Sequence, residues 1–178
     1  MHENLSSTEL KRLHRQWRKE TSRRVSLIIA GIQGPYNIGS IIRTAAAERV
    51  DHIWFLEGST TPENAKTGKT ALGSERFIEW SMATDGSAAI KSARNRGYRI
   101  VGLELASGAE PIHITNLKED VCFVLGHEDR GIPTALLDQC DLVSYIPQLG
   151  KIGSLNVAIA TSIALYEFRR QEWNEASG

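Results

Sequence analysis

Three short segments concentrate the residue types that do chemistry. The first is Pro35-Tyr36-Asn37-Ile38-Gly39-Ser40-Ile41-Ile42-Arg43, which follows an apolar run. In an open α/β sheet, ligands sit beyond the carboxyl ends of the strands. Asn37 stands at that edge and is placed to cap a helix. Arg43 lies six positions on, bordered by Ile41, Ile42, Ala45 and Ala46. A guanidinium there is a salt-bridge partner or a snorkelling side chain, or a cation held for a developing negative charge. Spacing alone favours the structural role. The second segment, Leu125-Gly126-His127-Glu128-Asp129-Arg130-Gly131-Ile132-Pro133, leads from an apolar strand into a charged turn. Gly126 allows a ligand close to the backbone. Glu128 is a carboxylate at a strand end, where catalytic groups concentrate; a solvated turn with a Glu128–Arg130 pair is the structural alternative. The third, Ile146-Pro147-Gln148-Leu149-Gly150-Lys151-Ile152-Gly153-Ser154-Leu155-Asn156-Val157, bends at two glycines. Ser154 is a good N-cap for a last helix, and Asn156 faces a site or supports that cap. Neither GxGxxG nor GxxxxGK[ST] occurs, which argues against a dinucleotide-binding Rossmann domain and a P-loop NTPase.

The elements that must position these segments alternate between strand and helix. Apolar runs predict strands at residues 25–30, 52–56, 77–80, 99–103, 121–125 and 142–146. Helices are expected at 39–48, 85–96, 133–139 and 155–171, with Gly97 marking one helix end. Strands apolar on both faces and separated by helices imply a parallel sheet covered on both sides, an α/β fold. Residues 58–76 are polar and turn-rich; within them Lys66, Lys69 and Arg76 bind phosphate, close over a site, or simply face solvent. Before the first strand, Ser6 and Glu9 have capping-box spacing. Leu10, Leu13 and Trp17 then share one helical face, surrounded by Lys11, Arg12, His14, Arg15, Arg18 and Lys19. This basic amphipathic helix docks by its apolar stripe, contacts phosphates, or does both. The expected organisation is a basic helical extension over 1–24, a catalytic domain over 25–173 and a tail over 174–178.

Composition sets outer bounds. The chain has 178 residues, 41% hydrophobic and 24% charged, with a formal net charge of zero. A nucleic-acid argument must therefore rest on local charge. Cys122 and Cys140 lack metal-ligand or disulfide spacing. His2, His14, His52, His113 and His127 are scattered, so no metal is expected. No run is long and apolar enough to span a membrane, and no signal peptide is read at the N-terminus. A cytoplasmic location without membrane attachment is expected.

Taken together, the three segments resemble the motifs of the SPOUT superfamily, in its SpoU/TrmH branch. The matches are N-x-G-x-x-x-R at residues 37–43, L-G-x-E-x-x-G at 125–131 and I-P…G-S-L-N-V at 146–157. The similarity runs from about Val25 to the end of the last helix. It implies a parallel sheet whose C-terminal part is tied into a deep trefoil knot, an exception to the rule of un-knotted chains. It implies S-adenosylmethionine as methyl donor, RNA as substrate, and a homodimer with each site completed near the interface. By motif position, Gly126, Ile146 and Leu155 contact the cofactor, and the strand end at Leu103 and Leu105 lines the same pocket. Arg43 becomes the arginine at the ribose 2′-hydroxyl. Asn37 holds the first motif in place, and Glu128, Ser154 and Asn156 support the site or contact substrate. An arginine is a poor general base because its pKa exceeds about 12, so Arg43 is expected to act by charge; Glu128 is the alternative base. The short basic helix ahead of the domain resembles the layout of tRNA enzymes that methylate a D-loop guanosine. The alternatives are rRNA enzymes, tRNA wobble-position enzymes, and an RNA-binding module with an inactive site.

Overall fold

The computed structural model of the chain describes residues 3–176. His2 and the last two residues of the expected tail lie outside that range. Seven strands form one sheet: β1 (Val25–Ala30), β2 (Val50–Phe55), β3 (Glu79–Met82), β4 (Arg99–Leu103), β5 (Glu110–Pro111), β6 (Val121–Gly126) and β7 (Leu142–Tyr145). Their order is β3-β2-β1-β6-β4-β7-β5, and every pair is parallel. The central strands β1 and β6 are buried along their whole length. Their side chains alternate between two cores. Leu27 and Ile29 face Ile38, Ile41 and Ile42 of α2 (Pro35–Ala47) and Leu165 and Phe168 of α6 (Val157–Ala176). Ile28 and Ala30 face Ala89, Ile90 and Ala93 of α4 (Gly86–Asn95) and Leu136 of α5 (Thr134–Leu137). This is the two-sided α/β sheet expected from the apolar runs.

Several boundaries differ from expectation. α2 begins at Pro35 rather than Gly39, because proline's fixed φ suits the first helical position. Asn37 is therefore inside the first turn, and Gly34 is the cap residue. The last helix begins at Val157 rather than 155, and Ser154 does not cap it. Asn156 does, with Oδ1 accepting from the N–H groups of Ala158 (3.0 Å) and Ile159 (3.3 Å). The third strand starts at Glu79, after a 3₁₀ turn over Ser74–Phe77. A short α3 (Gly68–Ala71) precedes that turn. The first helix, α1 (Ser7–Lys19), carries the Ser6–Glu9 capping box. It buries none of its residues, so its apolar stripe is not docked along its length. Trp17 meets Trp173 of α6 at a ring separation of 4.8 Å. No helix among the described residues is long and apolar enough to cross a membrane.

One buried cation ties the base of the fold together. Arg169 on α6 is 2% exposed. Its Nη2 donates to the Glu48 carbonyl at the end of α2 (2.6 Å), and its Nη1 donates to the Arg23 carbonyl (2.7 Å) and to Glu172 (3.1 Å). Glu172 in turn accepts from the backbone N–H groups of Ser22 (2.6 Å) and Arg23 (2.7 Å). Removing one member of a buried ion pair leaves the other charge uncompensated. Arg169→Leu is expected to destabilise the fold by about 3–5 kcal/mol, read from urea unfolding. A loss below about 1 kcal/mol would mark the pair as no stronger than a surface bridge.

Candidate active site

The strands β1, β4, β6 and β7 all run the same way, so their carboxyl ends deliver four loops to one edge of the sheet. Side-chain amides and a carboxylate join three of the chemistry-bearing segments there. Asn156 Nδ2 donates to Asn37 Oδ1 (2.9 Å), and Asn37 Nδ2 donates to Glu128 Oε1 (3.1 Å). Glu128 Oε1 also accepts from the Gly34 N–H (3.1 Å), and Oε2 accepts from the Gln33 N–H at 3.4 Å. The orientation of this relay is forced. A carboxylate only accepts, so Asn37 must turn its NH₂ toward Glu128 and its oxygen toward Asn156. Asn156 must keep its oxygen on the α6 N–H groups, which leaves its NH₂ to donate to Asn37.

The Glu128–Arg130 pair that was the structural alternative does not form; the carboxylate turns to the first segment instead. Partial burial pushes the Glu128 carboxyl up. Hydrogen bonds from its own backbone N–H, Asn37, Gly34 and Gln33 outweigh burial and hold it below the ordinary carboxylate value. A depressed carboxylate stabilises the fold above its unfolded pKa, about 4.3, and loses that contribution as pH falls through the folded value. The stability gap between wild type and Glu128→Gln is therefore expected to stay constant from about pH 7 to 5 and to close below about pH 4.3. Urea titrations at stepped pH read it; a gap that widens on acidification contradicts the clamp.

Beside the relay lies a cavity of about 840 Å³. Leu103 and Leu105 line it from the end of β4, Gly126 from β6, and Ile146 and Leu155 from the third segment. Glu128, Ser154 and Asn156 also reach its wall, whereas Asn37 and Arg43 do not. Asn37 joins the site through the relay. Arg43 is exposed on α2 and has no hydrogen-bond or ion-pair partner among the described residues, while its neighbours Ile41 and Ile42 are buried. It is not the salt-bridge partner that was one reading of its sequence context.

The turn after β6 is folded tightly on itself. His127 N–H donates to the Gly131 carbonyl (3.1 Å), and Gly131 N–H donates to the His127 carbonyl (2.9 Å). A methyl group on Gly126 would be driven into the Gly131 carbonyl and the Ile132 nitrogen. Gly131 itself is left-handed, at φ 65°.

Two polar wall residues were missed in the sequence. Glu104 accepts from the Ile132 N–H through Oε2 (2.8 Å) and from the Leu105 N–H through Oε1 (3.1 Å), bracing the β6 turn against β4. A charged residue directly after an apolar strand was the available signal. Gln148 also lines the cavity, and its Oε1 is buried without a hydrogen-bond partner. Nothing local distinguishes it from other loop glutamines. Among the described residues, no cluster of three or more His, Cys, Asp or Glu is arranged to hold a metal.

Comparison with known proteins gives these features a family. The sequence profile of the SpoU rRNA Methylase family matches residues 24–166. The 23S rRNA (guanosine(2553)-2′-O)-methyltransferase RlmP of Bacillus subtilis is 34% identical over 149 residues, which cover 84% of this chain and 59% of that protein. Among solved structures, the AdoMet-bound rRNA methyltransferase from Sinorhizobium meliloti superposes with a TM-score of 0.79 at 30% identity, over 85% of this chain and 58% of its own. A structure described for 2-OH methylation of C/U34 on tRNA superposes with a TM-score of 0.74 at 25% identity, over 84% of this chain and 96% of its own. The chain spans about three fifths of the length of the curated relatives it matches. With the profile covering most of the chain and all three motif segments inside it, the chain belongs to the SpoU rRNA Methylase family.

Proposed function

We propose that this chain transfers a methyl group from S-adenosylmethionine to the 2′-hydroxyl of a ribose in RNA. The observation that carries this reading is the relay from Asn156 through Asn37 to Glu128, which joins all three motif segments beside one cavity. The cavity fits the cofactor on three counts. Its volume of about 840 Å³ is in the range of small-molecule sites. Its wall carries Glu104, Glu128 and Asp129 against Arg130, an acidic balance suited to a cationic ligand. The orphaned Gln148 oxygen calls for a donor, which the cofactor's amino groups can provide. Leu103, Leu105, Gly126, Ile146 and Leu155 hold the cofactor in this reading.

When bound, the cofactor supplies a methyl carbon already activated by sulfonium charge. The chain's residues align the acceptor and stabilise charge. A guanidinium keeps its proton at neutral pH, so Arg43 stabilises the ribose oxygen electrostatically as its proton leaves for solvent or a substrate phosphate. Glu128 is assigned a positioning role rather than that of base, because, against partial burial, hydrogen bonds from Asn37, Gly34 and Gln33 hold its carboxyl below the ordinary value and so lower its basicity. Ser154, exposed at the cavity rim, meets the substrate. Because Arg43 lies outside the cavity wall, the site is completed across a homodimer. The row Ile159, Ile163 and Tyr166, exposed on α6 at helical spacing, supports that assembly. The loops leaving β4, β6 and β7 converge on one cavity, as a trefoil-knotted C-terminal part requires. The two free thiols, Cys122 and Cys140, support a cytoplasmic location.

For the RNA we carry forward tRNA, with a D-loop guanosine as target. Two features support tRNA: the exposed basic helix α1, and the structure described for 2-OH methylation of C/U34 on tRNA, which the chain matches over 96% of that structure's length; its named position favours the wobble-position alternative over the D-loop. The second reading is 23S rRNA, which the name of the Bacillus relative favours. Transfer of tritiated methyl to total tRNA and to rRNA, followed by nucleotide mapping, separates the two. No label in either pool rejects the proposal, and cofactor binding without transfer marks a binding module.

A further inference from the structure

The segment between β2 and β3 adds nothing to the cavity wall or the relay, yet it is stitched to the site. Thr60 donates from N–H to the Ile32 carbonyl (2.9 Å) and from Oγ1 to the Gln33 carbonyl (2.8 Å). Thr70 Oγ1 donates to the Tyr36 carbonyl (3.2 Å), one residue before Asn37. Both α3 and the 3₁₀ turn pack on α2. From this fixed base the segment holds apolar groups outward. Phe77 is 69% exposed and Leu72 is 64% exposed, and neighbouring Tyr36 is 54% exposed. Such exposure opposes folding, and clustered exposure marks an interaction site.

The chemistry around these groups narrows the occupant. The Arg76 guanidinium stands 4.9 Å from the Phe77 ring centroid, so it covers one face of the ring. The side chains of Lys66, Lys69 and Arg76 are exposed and have no hydrogen-bond or ion-pair partner among the described residues. Of the acids in the segment, Glu75, next to Arg76, turns inward with Oε2 buried, while Glu57 and Glu63 are exposed at its start, away in sequence from Phe77. Exposed rings on and beside a segment that also carries unpaired cations match unstacked bases on a phosphate backbone. A second copy of this chain fits less well, because two such patches would oppose like charges.

We propose that Phe77 and Tyr36, together with Lys66, Lys69 and Arg76, form a stacking platform for unpaired bases flanking the target ribose. This rests on the RNA methyltransferase reading above and names how that substrate is gripped. Each base stacked on an aromatic ring contributes enough that truncating the ring weakens binding about tenfold. The probes are unfractionated tRNA and purified rRNA, using whichever accepts methyl from the wild-type chain. Phe77→Ala is expected to weaken RNA binding about tenfold, with the affinity for S-adenosylmethionine held within about twofold by calorimetry. Phe77→Trp retains RNA affinity. Lys66→Ala with Lys69→Ala lowers the slope of log affinity against log salt by about one to two, whereas Phe77→Ala leaves that slope intact. Unchanged RNA affinity in Phe77→Ala overturns the platform, as does equal weakening in Phe77→Trp. A Phe77→Ala chain that changes oligomeric state assigns the ring to a subunit contact and overturns it too. A wild-type chain that methylates neither RNA overturns the enzymatic reading and the platform with it.

Discussion

Replacing Arg43 with alanine is expected to lower methyl transfer by about 10²–10³-fold while changing folding stability by less than about 0.5 kcal/mol. The two halves of this expectation come from the same observation. Arg43 is exposed and has no hydrogen-bond or ion-pair partner among the described residues, so its loss leaves no buried group unsatisfied. The helix that carries it is held by Ile38, Ile41, Ile42 and Ala45, which are all buried in the core. In the proposed reaction, the substitution removes the positive charge set against the negative charge that develops on the ribose oxygen. Removing one such donor elsewhere costs rate without costing structure. Cofactor affinity is expected to hold, since Arg43 is not part of the cavity wall. Single-turnover transfer, calorimetric cofactor titration and thermal melting read the three quantities separately. Arg43→Lys keeps the charge and loses the planar fork. A lysine variant with normal turnover and an unchanged pH–rate profile refutes the assigned role.

Gly126→Ala should have the opposite signature: lost cofactor binding together with lower stability. The added methyl cannot be relieved by rotating a flexible side chain, because its contacts are backbone: the Gly131 carbonyl, whose oxygen lies 2.7 Å away, and the Ile132 nitrogen. The β6 turn must open. That strains the paired bonds between His127 and Gly131 and pulls the Ile132 N–H from Glu104. Overpacking of this kind costs about 1–3 kcal/mol, and the displaced turn is one wall of the cavity. Melting and calorimetry on the same sample test it. An alanine chain that binds S-adenosylmethionine with wild-type affinity shows the turn to be looser than its contacts indicate.

The sheet was legible where strands are buried on both faces. β4 occupies the expected residues 99–103, and β6 runs one residue past expectation, because continuous apolar stretches leave few alternatives. Helix starts were less legible. Pro35, Tyr36 and Asn37 carry turn signals as strongly as helix-start signals, and packing on the sheet resolves them as helix. Ser154 and Asn156 are both acceptable caps; Asn37, 119 positions away, selects Asn156 by accepting its amide proton. β5 escaped notice because two residues, one a proline, show no periodicity. The motif residues of the site were readable through their resemblance to a family. Their joinery was not, since Glu128 meets Asn37 across 91 positions. Glu104 and Gln148 acquire meaning only when distant loops close around one cavity.

The Arg169–Glu172 latch bears on the order in which the chain can become native during synthesis. The backbone leading into β1 is gripped by Glu172, 150 residues downstream. β1 itself lies between β2 and β6, so its second neighbour is made about a hundred residues later. A ribosome extends a chain N-terminal end first. The most apolar early segment, VSLIIA, therefore emerges long before either its partner strand or its clasp exists. Until β6 has cleared the exit tunnel, that strand offers an open edge to any other extended chain. The length of that interval is set by the position of β6 in the chain, and the clasp at Glu172 closes later still.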